Sequence, residues 1–362
     1  MQKSFGMLEL EQRVRRNGAL MKVEALINWE SLRPLLKGLY RRDHTNRGGQ
    51  EPFDCLLMFK ALLLGQWHSL SDEKLEQALL VRIDFMQFCG LNLTDDVPDE
   101  TTLCRFRNRL IRAELLGKLL AQINTQLQAH GLMVAKATGA VVDATLIQSA
   151  ARPNKTITVQ TDEAGQETVY EDGSRPGVIY EEKNSADPDA TWVKKGKKSY
   201  FGYRSYWVVD STDGYVHGVH TAPANESEMK HFQTALESAP LLADRIGANR
   251  VYADKGFSSQ AHRDFLRSQK IKVAIQHRAV KNKPLTPRQK LANRLISKKR
   301  YIVEQAFGTA KRLLNMQRTS YFSTVKVHAQ MVMKALCLNL IKATHKILEI
   351  HPCMGVVRPQ QG

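Results

Sequence analysis

The stretch Gly139-Ala-Val-Val-Asp143-Ala-Thr-Leu-Ile147 differs in texture from everything before it. A short apolar, β-branched run interrupted by one acid predicts a buried strand that carries a carboxylate. Burying an acid is costly unless it is paired or binds a metal, so Asp143 is either a site residue or a strand-end cap. Val251-Tyr-Ala-Asp254-Lys-Gly256 repeats the pattern, an apolar strand ending in an acid. Between the two, residues 206–210 and 215–220 are strand-like and joined through Asp213-Gly214, a strong hairpin signal. Asp210 rivals the other two acids, but its place just before the turn favours a turn role. Residues 225–236 read as a helix, Ser259 caps a helix over 260–267, and residues 272–275 supply another strand. Strand, hairpin pair, helix, strand, helix, strand and a late helix make a mixed α/β domain.

That late helix is Arg300-Tyr-Ile-Val-Glu304-Gln-Ala-Phe-Gly-Thr-Ala-Lys311-Arg-Leu-Leu314. At about 100° per residue, Val303, Ala306, Phe307, Ala310, Leu313 and Leu314 share an apolar face. Arg300, Glu304 and Lys311 fall in an adjoining stripe, where a carboxylate is expected to be half-sheltered yet reachable by solvent. From Arg278 to Arg318 the chain holds twelve Lys or Arg and a single acid, Glu304. A basic field around one carboxylate suits a polyanion above it and a cation beside it. Ordinary ion pairs along a solvated helix are the alternative.

N-terminal to the acid-bearing strand, residues 1–135 read as a helical domain. Ser71-Asp-Glu opens one of its helices with a cap and first-turn acids. In the helix expected from Thr101, Leu103, Phe106 and Leu110 form the packed face, and Arg105, Arg109 and Arg112 a basic stripe suited to DNA phosphates or to solvent. Residues 151–198 are polar and turn-rich and read as an insertion in a catalytic domain of 136–350. Within it, residues 156–160 and 168–170 are expected to pair, and Lys194, Lys195, Lys197 and Lys198 reverse the acidic sign of the segment. An apolar helix follows at 327–348, and the tail 351–362 carries no signal.

Of the 362 residues, 43% are hydrophobic and 25% charged, an ordinary balance, but the net charge is +17 and the pI near 9.7. Such a surplus favours a polyanionic partner, with nucleic acid ahead of an anionic membrane surface. No apolar run reaches about 18 residues, so no membrane-spanning role is expected. Five cysteines lie without a close pair or zinc-type spacing, which fits a reducing compartment. With no signal peptide visible, the expected location is cytoplasmic, on DNA.

Asp143, Asp254 and Glu304 are remote in sequence, so only a fold unites them. Adjacent strands place two carboxylates side by side, and a helix crossing their edge delivers a third. Hard oxygen ligands suit Mg²⁺ or Mn²⁺, and two such ions activate the attacking oxygen and stabilise the leaving one in phosphodiester attack. Walker-type loops, zinc helices and nucleophile elbows are absent. His217 and His220, three apart on a strand, point to opposite faces and read as structural. Gly256 and Gly308 read as turn and packing positions.

Read in order, Val142-Asp143-Ala-Thr-Leu-Ile, Asp187-Pro-Asp-Ala190 with Gly202-Tyr203, Thr221-Ala-Pro-Ala-Asn225, Ala253-Asp254-Lys-Gly-Phe257 and Val303-Glu304-Gln-Ala-Phe-Gly308 resemble the DDE transposases of bacterial insertion sequences. The resemblance is to the insertion-sequence-five family, within the broader insertion-sequence-four-like superfamily. Pro52-Phe-Asp, Leu63-Leu-Gly-Gln-Trp67, Leu70-Ser-Asp72 and Pro98-Asp-Glu-Thr-Thr-Leu103 resemble its N-terminal helical domain. It implies a ribonuclease-H-like α/β core with a mixed sheet, and Asp143, Asp254 and Glu304 as the acidic triad for two divalent ions. It also implies cleavage at terminal inverted repeats, attack of the freed 3′-hydroxyl on target DNA, and a homo-oligomer that holds paired ends. Arg300, Glu304 and Lys311 match a family signature that begins with Tyr, where this chain has Ser297. Arg300 and Lys311 are then expected on phosphates. An inactive DNA-binding regulator and a nuclease without strand transfer are the rival readings.

Overall fold

The computed structural model describes residues 18–40, 51–134, 138–153, 185–239, 250–281 and 284–347, and the backbone of 155–160, 178–183, 348–350 and 357–359. The tail beyond 350 lies outside the described residues except for 357–359.

The N-terminal part is helical, as expected: α1 (Ala19–Leu26), α2 (Arg33–Leu36), α3 (Cys55–Trp67), α4 (Asp72–Val81), α5 (Ile83–Cys89), α6 (Glu100–Arg112) and α7 (Leu116–Ala129). Side-chain caps set three of the starts. Asp54 accepts from the amides of Leu56 and Leu57, Ser71 from Lys74 and Asp99 from Thr102, each satisfying helix N–H groups that have no intrahelical partner.

The sheet is built from β1 (Gly139–Gln148), β4 (Thr191–Lys195), β5 (Lys198–Asp210), β6 (Val216–Pro223), β7 (Arg250–Ala253) and β8 (Lys272–Ile275). β2 (Lys155–Gln160) and β3 (Val178–Lys183) pair with each other outside it. The excursion hairpin therefore exists, but 155–160 pairs with 178–183; residues 168–170 lie outside the described residues. β5 is antiparallel to β1 on one edge and to β6 on the other, whereas β7 is parallel to β1 and β8 parallel to β7. Three antiparallel strands continued by two parallel ones form the mixed, ribonuclease-H-like sheet that the resemblance implies.

β5 and β6 turn through Asp213-Gly214, where Gly214 has φ +67°, a left-handed conformation that glycine adopts without strain. α8 (Phe232–Glu237) follows a 3₁₀ turn at Glu228–His231, and α9 (Gln260–Ser268) is capped by Ser259, whose hydroxyl accepts from His262 N. α10 (Pro287–Leu313) opens with Pro287 after a reciprocal Thr286/Gln289 capping box. α11 (Thr324–Lys346) is apolar on nearly every side and buried among α1, α3, α7 and β6.

One apolar cluster runs from the N-terminal helices through α11 into one face of the sheet, including Val141, Trp207 and Val209. A smaller cluster packs α8 and α9 on the opposite face, with Val142, Val208 and Val251. Asn339 ties these parts together inside the larger cluster. It accepts from Val216 N at 2.9 Å and donates to Asn124 Oδ1 and to the Val216 carbonyl, both at 2.8 Å. Buried amides satisfied this way fix α7, β6 and α11 in one register.

Candidate active site

Register alone brings the first two acids together. Val142 on β1 is paired with Ala253, the last residue of β7, so Asp143, midway along β1, and Asp254, just past the end of β7, are the next residues of parallel neighbours. Asp254 ends its strand by capping a short 3₁₀ turn, its carboxylate accepting from Lys255 N at 2.5 Å. Asp143 accepts from Ala144 N at 2.8 Å.

α10 crosses β1 and β7 and delivers Arg300 to both carboxylates. Arg300 Nη2 lies 2.5 Å from Asp143 Oδ2, and Nη1 lies 3.6 Å from Asp254 Oδ1. Arg300 is 9% exposed, and its Nε is buried without a hydrogen-bond partner among the described residues. Burial pushes the Asp143 carboxyl above its ordinary range, and Asp254 adds to that, against the opposing pull of Arg300 and the Ala144 amide.

Glu304, one turn beyond Arg300 on α10, is exposed. The expectation of a half-sheltered carboxylate is corrected, since the helix turns Glu304 outward while Arg300, one turn earlier, faces the sheet. Among the described residues, no three His, Cys, Asp or Glu side chains are arranged to hold a metal ion. Val303, Ala306, Phe307, Ala310 and Leu314 are buried as expected, but Leu313 is 43% exposed. A Cβ at Gly308 would meet nothing within 4 Å, so that glycine is not a packing position.

Lys311 is half-buried, and burial reinforced by the neighbouring Lys195 charge pushes its ammonium below the ordinary range. The α6 stripe stands apart from this site: Arg105 and Arg112 are exposed, and the Arg109 guanidinium lies 5.3 Å from the centre of the Tyr40 ring. Ser297, where the signature begins with Tyr, accepts a 2.7 Å hydrogen bond from Gln276 Nε2.

Two site residues were missed in the sequence. Glu228 lies against Gly256, where a Cβ would come within 2.4 Å of its Oε2. Burial raises its carboxyl and the charges of Asp143 and Asp254 raise it further, while Arg204 lowers it. Arg204 Nη1 stands 3.2 Å from Glu228 Oε1. The available signal was Asn225-Glu-Ser-Glu228, directly after the Thr221–Asn225 motif, but a helix reading over 225–236 hid it. As for the histidines, His217 Nε2 stands 3.9 Å from Asp210, and His220 Nε2 is 3.0 Å from His231 Nδ1.

Two family models match the chain, Transposase domain (DUF772) over residues 8–109 and Transposase DDE domain over residues 135–340. The second alone spans more than half of the sequence. The chain belongs to the DDE transposases. A Neisseria meningitidis serogroup B relative, the transposase for insertion sequence element IS1106, is 39% identical over 243 residues, which are 67% of this chain and 78% of the relative. This transposase also aligns with a piggyBac transposase synaptic complex with hairpin DNA at TM-score 0.41 and 9% identity, over 93% of this chain and 74% of that one. A pre-cleavage Mos1 transpososome aligns at TM-score 0.22 and 10% identity, over 84% and 82%. Likenesses of that size say nothing about a site.

A DDE transposase is an enzyme of DNA transposition, and its family uses divalent metal in general. Asp143 and Asp254 fit such an ion in donor chemistry, since both are hard oxygen donors that already converge on one cation, the Arg300 guanidinium. Among the described residues, no helix of the transposase is long and apolar enough to cross a membrane.

Proposed function

We propose that this transposase cleaves DNA at the terminal inverted repeats of its element and joins the freed 3′-hydroxyl to target DNA. One observation carries the reading: two carboxylates adjacent on parallel neighbouring strands face a single buried cation. Asp143 and Asp254 hold the divalent ions, Mg²⁺ with Mn²⁺ as substitute. When bound, these supply the Lewis acidity that activates the attacking oxygen and stabilises the leaving one.

Glu304 is the third carboxylate, one turn beyond Arg300 on α10. Glu228 competes for that position, because burial and the charges of both aspartates raise its carboxyl. Arg300 and Lys311 hold phosphate oxygens at the site, and Arg105, Arg109 and Arg112 give α6 a second phosphate-binding face. The catalytic domain is 136–350 and the N-terminal helical domain 1–135. Paired ends need two active sites, so the working form is at least a homodimer on DNA, in the cytoplasm and associated with the nucleoid. Membership of the insertion-sequence-five family follows the ordered motifs.

Nicking and strand transfer with Mn²⁺ on DNA carrying the element's ends test this. Asp143→Asn and Asp254→Asn each lower cleavage by more than about a hundredfold while end binding persists. Glu304→Gln does the same if Glu304 is the third ligand, and Glu228→Gln does so if it is Glu228. Cleavage without strand-transfer product moves the protein to the nucleases. Full activity in Asp143→Asn rejects the assignment.

A further inference from the structure

From Gly202 to Asp210, β5 is paired with β1. Phe201 still accepts from Ser149 N at 2.9 Å, and beyond it residues 198–200 pair, among the described residues, with β4 alone. Residues 193–200 therefore project past the sheet as a two-stranded ribbon, by roughly 10 Å for three residues. Gly202 permits this departure, because its φ is +155° and a Cβ there would sit 2.1 Å from the Ile147 carbonyl oxygen. Two hydrogen bonds moor the base of the ribbon beside the candidate site. Asn225 N donates to Thr191 Oγ1 at 3.0 Å, and Thr191 Oγ1 donates to Asn225 Oδ1 at 3.1 Å. Asn225 leads directly into Glu228.

The register sorts the ribbon's side chains. Lys195 and Lys198 are directly opposed across the two strands, on the same side as Thr191. Residues 194–199 are all exposed. Lys195 is close enough to the site for its charge to act on both Lys311 and Glu228. Like charges held opposite one another destabilise a sheet. Here the Lys195 charge also acts on a third ammonium, Lys311, and on the acid Glu228, and a polyanion bound at the three lysines removes the repulsion.

We propose that Lys195 and Lys198, together with Lys311, form a track that binds the phosphates of the DNA strand running out of the catalytic site. The ribbon is a clamp arm for backbone, not a reader of bases, since lysine ammonium groups recognise phosphate as point charges. This rests on the catalytic reading of the site, and its test separates the two.

The full-length protein is titrated with a fluorescent random-sequence duplex in Ca²⁺, and the slope of log Kobs against log salt is compared between wild type and Lys195→Ala/Lys198→Ala. Loss of two phosphate contacts makes the slope shallower by about 1.8, while Lys74→Ala, on exposed α4, leaves it unchanged. Mn²⁺-dependent plasmid nicking by the double variant falls at about 150 mM KCl and recovers at about 30 mM, as a lost phosphate contact requires; a folding defect does not recover. An unchanged slope with nicking intact overturns the track and keeps the catalytic reading. A fallen slope with no nicking by wild type overturns the catalytic reading and keeps the phosphate contact.

Discussion

Asp143 and Asp210 sit on paired strands of one sheet, three residues apart in register, and the fold treats them in opposite ways. Asp210 is fully buried and accepts from Thr212 N at 2.8 Å, Asp213 N at 2.5 Å and Tyr215 N at 2.8 Å. Burial alone would raise its carboxyl, but these amides and His217 hold it below the ordinary range. Asp143 has the amide of its own neighbour and one arginine, and its carboxyl stays raised. The first carboxylate is satisfied by the turn it makes. The second keeps capacity for a partner from outside, which marks a site in a way that burial alone does not.

The largest stability effect that bears on this contrast is at Arg300. Arg300→Met leaves Asp143 buried beside no cation and lowers stability by about 3 kcal/mol. Adding Asp143→Asn restores most of the loss, so chemical denaturation of the four proteins in the cycle gives a strong coupling. Additive losses would break the contrast, because Asp143 would then be satisfied without Arg300.

Next in size is Asp210→Asn, which weakens a carboxylate held by three backbone amides and lowers stability by about 2 kcal/mol. Asp143→Asn alone costs less than Asp210→Asn, since the raised carboxyl means that its charged form is disfavoured in the fold and Arg300 keeps Asp254 at 3.6 Å. Equal midpoints for the two variants would remove the distinction.

The smallest effect concerns pH, on the neighbouring strand. His220, facing His231 and His328 with Glu226 beyond, is pushed down to about 4, chiefly by burial and then by the other histidines. The unfolded chain therefore binds the extra proton between about pH 6.5 and 4, and stability falls as pH drops through that window. With partial exposure discounted, this amounts to about 1 kcal/mol. Thermal melts of His220→Asn across the same window should show a flatter acid limb than wild type.

Much of the scaffold was readable because it depends on local chemistry. The 272–275 strand, the Ser259 cap and the Asp213-Gly214 hairpin follow from residue types at fixed spacings. Leu313 was misread because it lies at the edge of the apolar face, about 80° from Val303 at about 100° per residue, while Leu314 at its centre is buried. Glu228 was missed because its role comes from a 3₁₀ turn that folds back over Gly256, an approach that no periodicity encodes.

The sequence alone determined that apolar strands carry acids, that a basic helix follows them and that the charge surplus favours a polyanion, because composition and alternation act on each residue where it stands. Only the tertiary structure decided which side chain each acid meets. Parallel pairing of β1 with β7 set Asp143 beside Asp254, and the rotation of α10 about its axis turned Arg300 toward them and Glu304 toward solvent. A rotation of that kind is fixed by packing across the whole apolar face, so it is a property of the assembled core and not of any segment.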